Sequence, residues 1–116
     1  MKAWQVAYEV TLEVYRLTSA FPPMERFGLV NQMRRASVSM PSSLAEGYAR
    51  RRPRDKGYFY TVARSSGEEL KSQLMVSRDL GFIQPAKFEA VMIRLDEACR
   101  LMHGLIEAME TRTSSN

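Results

Sequence analysis

Residues 85–111, PAKFEAVMIRLDEACRLMHGLIEAMET, show the clearest structural pattern in the chain. Their apolar side chains recur at intervals of three and four residues, and polar side chains fill the opposite side. This spacing predicts an amphipathic helix that starts at Pro85. Its predicted buried stripe consists of Phe88, Val91, Met92, Leu95, Ala98, Cys99, Met102, Ile106 and Met109. The small polar residues over about 111–116 predict a frayed tail.

Proline and glycine divide the preceding residues into three more segments of helical length, about 3–20, 24–50 and 55–80. No segment alternates with period two, so strands are not expected. The 116 residues have the size of one domain, 1–116. We therefore predict an all-α fold, an up-down-up-down four-helix bundle, because helices of this length with short connections pack in that way.

The first segment has two apolar stripes. Ala3, Ala7, Val10, Val14 and Leu17 form the first, and Trp4, Tyr8, Leu12 and Tyr15 form the second. Together they make a surface wider than one core-facing helix normally needs. Two interpretations stay open: a central helix that touches two neighbours, or an aromatic flank that meets another subunit.

The second segment carries Pro41 in its interior. Its apolar side chains share one face on both sides of this proline: Val30, Met33, Met40, Leu44 and Tyr48. This continuity favours one helix kinked at Pro41, whose ring leaves the carbonyl of Ser37 without its usual donor. The alternative is a restart, because proline suits a first turn and Ser43 and Glu46 have the spacing of a capping box.

The third segment is expected to begin with Asp55 as its cap. Its predicted buried face consists of Tyr60, Ala63, Gly67, Leu70 and Leu74. The small residues on this face, Gly67 among them, predict a close approach by another helix.

The net charge of +4 comes from one short segment. Residues 50–56 hold five basic residues and one acidic residue, and the rest of the chain holds 12 of each. The basic members are Arg50, Arg51, Arg52, Arg54 and Lys56. Arginine binds phosphate in a bidentate way, and the aromatic residues over 58–60 offer surfaces for base stacking. The segment has two main interpretations, a solvated charged loop or a site that binds RNA or DNA phosphates, and an acidic protein partner or a membrane surface are the remaining alternatives.

Several classes of protein do not fit the composition. The single cysteine, Cys99, excludes an intramolecular disulfide, and the single histidine, His103, leaves little for a metal site. No apolar run approaches the ~20 residues of a membrane helix, and Glu9 and Glu13 do not fit a signal peptide. We therefore expect a cytoplasmic protein with no membrane partner, no metal and no cofactor.

No residue pattern indicates catalysis, so we do not expect an enzyme. Glu46 lies close to the apolar stripe of the second segment, where a carboxylate needs a partner. Arg34, Arg35 and Arg64 are candidates for that partner, and they are also second-tier candidates for binding nucleic acid. The favoured interpretation of Glu46 is a structural ion pair.

Four stretches of the sequence carry a family resemblance. They are residues 21–29 (FPPMERFGL), 32–42 (QMRRASVSMPS), 45–48 (AEGY) and 63–70 (ARSSGEEL). Together they resemble the bacterial four-helix bundle family known as the 23S rRNA intervening-sequence or S23 ribosomal proteins. The resemblance covers about residues 3–108.

The resemblance implies a left-handed bundle that assembles as a homopentamer with a central channel. The family is distantly similar to the accessory variability determinant of diversity-generating retroelements, a basic pentameric barrel that binds nucleic acid and works with a reverse transcriptase. It offers no catalytic residues to carry over, and its shared Arg34, Arg35, Glu46 and Gly47 suggest roles in folding or assembly. Glu46, Gly47 and Pro41 are accordingly predicted to be structural.

The predicted function is therefore a non-enzymatic, oligomeric bundle that binds structured RNA or DNA electrostatically through its Arg-rich loop. The alternative is a ring that serves as a scaffold or binds an unidentified protein partner, with a basic loop that is merely solvated.

Overall fold

The computed structural model describes residues 1–114, and these form four α-helices and no strand. The helices are α1 (Lys2–Thr18), α2 (Asn31–Ala49), α3 (Pro53–Asp79) and α4 (Pro85–Ser114). Each helix packs against the next one along the chain, and α4 packs against α1, which closes the bundle. The prediction of an all-α four-helix bundle is confirmed.

The predicted core stripes are buried, with two differences. Every predicted core residue of α1 and α3 is buried, and Gly67 lies so close to α4 that a Cβ there would be 2.8 Å from Sγ of Cys99. In α4 only Met92 is half-buried instead of buried. Tyr48, placed in the stripe of α2, is 67% exposed, because it lies in the last turn of the helix, where the chain leaves the bundle.

Helix α2 begins later than the sequence predicts. Residues Pro23–Glu25 form a 3-10 turn and Arg26–Val30 a π-type turn, and only then does the α-helix start at Asn31. The backbone of Gly28 leaves helical geometry, with φ of −114° and ψ of −106°. The break in the second segment therefore lies at Gly28, close to where the chain turns after α1.

Helix α2 runs through Pro41 without a restart, so the capping-box alternative is wrong. The carbonyl of Ser37 has lost the N–H that any other residue at position 41 would donate. Thr11 of α1 replaces it, because its hydroxyl lies 2.7 Å from Ser37 O. Both residues are buried, so the hydroxyl satisfies a carbonyl that water does not reach.

The remaining helix ends also shift. Helix α3 begins at Pro53, so Asp55 lies in its first turn and does not cap it. Gly81 ends α3 with a φ of 81°, and Phe82 N donates to Ser77 O in the pattern of a Schellman motif. Helix α4 continues to Ser114, so the tail predicted to fray is helical over 111–114, and Ser115 and Asn116 lie outside the described residues.

No helix within residues 1–114 is long and apolar enough to span a bilayer.

Candidate functional site

The basic segment forms the corner between α2 and α3. Because α3 begins at Pro53, only Arg50, Arg51 and Arg52 belong to the connection, whereas Arg54 and Lys56 lie on the first turns of α3. The predicted basic loop is therefore half loop and half helix. The N-terminal end of α3 adds the positive end of a helix dipole to this corner.

Two of the five basic side chains hold the corner together. Arg50 pairs with Glu46 at 3.0 Å and lies over the ring of Phe59, 4.7 Å from its centroid. Lys56 Nζ donates to Tyr48 O at 2.8 Å and to Gly47 O at 3.4 Å. Lys56 thus caps the last carbonyls of α2 from the start of α3, as a cation at a helix C-terminus can do.

The other three are available for a ligand. Arg51, Arg52 and Arg54 are exposed, and none of their side chains has a hydrogen bond or ion pair with another of the described residues. We call these three residues the free-arginine patch. The corner therefore contains two basic side chains that stabilise it and three that face solvent.

The second-tier arginines do not join this patch. Arg34 donates through Nε to Thr18 Oγ1 at 2.9 Å and stacks its guanidinium 4.6 Å from the ring centroid of Tyr15, so it joins α2 to α1. Arg35 is exposed but lies near the start of α2, about 21 Å from the end of the helix at 1.5 Å per residue.

Arg64 is half-buried on α3 and contacts α4. Its Nη1 lies 3.1 Å from Nδ1 of His103. Because a guanidinium only donates, Nδ1 is the acceptor and the ring proton resides on Nε2, which is 3.5 Å from Oε1 of Glu107. Arg64 keeps part of its guanidinium for other partners.

Glu46 is not at the edge of the core as predicted. Its side chain is 54% exposed, and its partner is Arg50, four residues further along the chain and just beyond the end of α2. None of Arg34, Arg35 and Arg64 pairs with it. Gly47, beside it, is buried against α3: a Cβ there would be 2.8 Å from Cε1 of Tyr60.

The aromatic residues that follow the basic segment differ in exposure. Tyr58 is 64% exposed, Phe59 is half-buried under Arg50, and Tyr60 is buried. Burial raises the pKa of Tyr60 above its usual value, because burial disfavours the phenolate. Tyr58 is therefore the aromatic side chain of this run that a base could reach.

An open groove of about 660 Å³ adjoins the patch. The first three turns of α3 form one wall, with Arg54, Tyr58 and Thr61, and the last turns of α4 form the other, with Glu110 and Thr113. Sequence reasoning missed the residues from α4. The antiparallel order of the helices was the available signal, because it places the end of α4 beside the start of α3.

Cys99 and His103 form no chemical site together. Cys99 is buried, and burial raises the pKa of its thiol to about 11, so the thiol stays protonated near neutral pH. His103 is exposed and engaged with Arg64. Residues 1–114 contain no cluster of three or more His, Cys, Asp or Glu side chains that could hold a metal ion.

Comparisons with known proteins agree with this fold. A crystal structure of a protein with unknown function from the S23 ribosomal protein family of Bacteroides thetaiotaomicron superposes with a TM-score of 0.81 at 15% sequence identity, over 90% of this chain and 97% of that chain. No curated protein matches the sequence. The family model described as 23S rRNA-intervening sequence protein matches residues 1–104, most of the chain. The chain therefore belongs to the 23S rRNA-intervening sequence protein family.

Proposed function

We propose that this protein is a non-enzymatic, oligomeric helical bundle that binds RNA or DNA through Arg51, Arg52 and Arg54. The observation that carries the proposal is the free-arginine patch: three exposed guanidinium groups with no partner among the described residues, in the segment that holds the whole excess of positive charge. Arg50 and Lys56 already stabilise the corner, so the other three arginines are not needed for that purpose.

Phosphate is the ligand that best fits the patch. Guanidinium groups match phosphate oxygens through pairs of parallel hydrogen bonds. The N-terminal end of α3 adds a favourable dipole, and α3 has no side-chain cap at Arg52 that would compete for its first N–H groups. Contacts of this kind carry no direct sequence information, so the proposed binding depends on shape and charge.

Assembly would strengthen such binding. The second stripe of α1 is left uncovered by the chain's own helices, with Tyr8 and Leu12 at 44% and 38% exposed. We propose that this stripe mediates self-association, for which the family resemblance suggests a pentamer. Each added subunit repeats the patch, and electrostatic affinity for a polyanion rises with the number of phosphates neutralised.

Fluorescence anisotropy with labelled RNA hairpins and DNA duplexes tests the proposal. We expect the wild-type affinity to fall steeply between about 50 and 200 mM salt. Replacing Arg51, Arg52 and Arg54 by serine should weaken binding by at least about tenfold at low salt and reduce the slope of log K against log salt by about two to three, because up to three phosphate contacts are lost.

A matched control removes three basic side chains elsewhere. Arg26, Lys87 and Arg100 are exposed and lie outside the corner, so serine at these positions changes the net charge equally. The control should retain most of the affinity. Equal losses in the two triple variants would contradict a localised site, and wild-type protein that binds no nucleic acid at low salt would contradict the proposed function.

The exposed α1 stripe also favours a second candidate, a protein-interaction ring whose basic corner is only solvated. In that case the triple serine variant assembles as the wild type does. In a pull-down it recovers the same protein partner as the wild type, with or without nuclease treatment.

A further inference from the structure

We propose that the groove between the start of α3 and the end of α4 binds an unpaired nucleotide, with the base stacked on Tyr58 and selected for an exocyclic amino group. This inference rests on the proposed function, since the free-arginine patch would bind the flanking phosphates. It adds a ligand class: unpaired nucleotides in preference to a continuous duplex, and cytosine in preference to uracil.

Tyr58 provides the surface for the base. It lines the groove, its side chain is 64% exposed, and Phe59 supports it edge-on with the ring centroids 5.1 Å apart. An exposed aromatic ring beside unpaired arginines is the arrangement that single-strand binders use for stacking. A base inside a duplex is already stacked on both faces, so only an unpaired base can use this ring.

Besides the donors Arg54 and Arg64, the groove is lined by three side chains that offer acceptors: Thr61, Thr113 and Glu110. The hydroxyl protons of Thr61 and Thr113 are already donated, to Gly57 O and to Met109 O, each at 2.8 Å. These hydroxyl oxygens can therefore only accept further hydrogen bonds. Glu110 lines the same groove, and its carboxylate has no hydrogen bond or ion pair with another described residue. A base that presents an amino group can donate to these three acceptors.

The charges orient the nucleotide. Arg54 lines the groove on the first turn of α3, close in sequence to Arg51 and Arg52, and it attracts phosphate. Glu110 repels phosphate but accepts hydrogen bonds from base amino groups. The backbone of the nucleic acid is therefore expected on the side of the arginines and the base edge on the side of Glu110.

Single-stranded oligo(C) and oligo(U) RNAs of about ten nucleotides, with an RNA duplex of the same length, are the probes. Anisotropy titrations should give tighter binding to oligo(C) than to oligo(U). Tyr58→Ala should weaken oligo(C) binding about tenfold while leaving duplex binding unchanged, and Tyr58→Phe should retain most of the affinity because its ring still stacks.

Glu110→Gln tests the selection of the base. The measured quantity is the ratio of oligo(C) to oligo(U) affinity. A ratio is needed because loss of the negative charge raises the affinity for both RNAs. We expect this ratio to fall towards one, whereas Glu89→Gln, an exposed carboxylate on the first turns of α4, should leave it unchanged.

The outcomes separate this inference from the proposed function. If the triple serine variant loses binding while Tyr58→Ala binds oligo(C) as the wild type does, the groove inference is overturned and the arginine patch stands. A wild-type preference for duplex over single strands would also overturn it. If no probe binds wild-type protein at low salt, the proposed function itself fails.

Discussion

Thr11 shows how one side chain makes a proline tolerable inside a helix. Its hydroxyl supplies the proton that Pro41 cannot donate to the carbonyl of Ser37. Thr11→Val keeps the shape of the side chain but leaves this buried carbonyl without a donor. We expect the free energy of unfolding to fall by about 1–3 kcal/mol, measured by urea denaturation with circular dichroism.

The control for this prediction is a double-mutant cycle. Pro41→Ala restores a backbone N–H that can bond Ser37 O within α2, so Thr11→Val should cost clearly less in that background. The same cost in both backgrounds would mean that Thr11 acts through packing or through Ala7 O, 3.0 Å from its hydroxyl, and not through Ser37 O.

Pairing between individual side chains was the least predictable feature. Periodicity placed Glu46 near the core, and the structure places it in solvent with Arg50, because a residue at the edge of a stripe turns in or out with a small rotation of the helix. Sequence analysis suggested three distant arginines as partners of Glu46 and missed Arg50, which lies four residues further along the chain. Likewise, nothing in the sequence distinguished Arg51 and Arg52 from Lys56, whose role as a cap depends on where α3 starts.

Helix α2 packs closely against α3 at Gly47. A Cβ at this position would lie 2.8 Å from Cε1 of Tyr60 and 3.1 Å from Cβ of Phe59, and Tyr60 is buried and cannot move freely. Gly47→Ala should therefore lower the free energy of unfolding by about 1–3 kcal/mol through overpacking. Thermal or urea unfolding measures the loss.

Gly104 provides the matched substitution. It lies in the interior of α4, and a Cβ there would meet no atom within 4 Å. Gly104→Ala should stabilise the protein by up to about 1 kcal/mol, because alanine is the better helix former. If both alanine variants change stability in the same direction, the close approach of α2 to α3 does not explain the glycine.

At the scale of the helices, the sequence predicted the right number of helices but placed their first and last residues less accurately. The intervals of three and four residues identified all four helices, and nearly every residue that they placed in the core is buried, but they missed buried residues such as Val6 and Ala36. The ends depend on local backbone geometry: Gly28 delays α2 to Asn31, and Pro53 starts α3 ahead of Asp55. Because prolines suit first turns, the start at Pro53 could have been predicted, whereas the irregular turns over 23–30 carry no periodic signal.

At the scale of the whole molecule, the antiparallel order of the helices builds the candidate site. It brings residues 53–64 of α3 beside residues 106–114 of α4, so the groove combines segments that are far apart in the chain. The basic segment was visible in the sequence as a run of charge. The groove beside it was not, because its shape and its lining arise only when the two helix ends meet.

The exposed stripe of α1 leads to a prediction about assembly. Trp4, the only tryptophan, stacks on Tyr8 with ring centroids 4.9 Å apart, and both side chains face outwards beside Leu12. We expect light scattering to give a multiple of the 13.3 kDa chain mass for the wild type. The Tyr8→Glu, Leu12→Glu double variant should be a monomer, since a charge buried in an apolar interface without a partner is costly.

Trp4 emission should shift to longer wavelength in the double variant as the ring becomes hydrated. Ile93→Glu, at a side chain 62% exposed on α4, should leave the assembly intact, and a wild-type protein that is monomeric at micromolar concentration would contradict the proposed self-association.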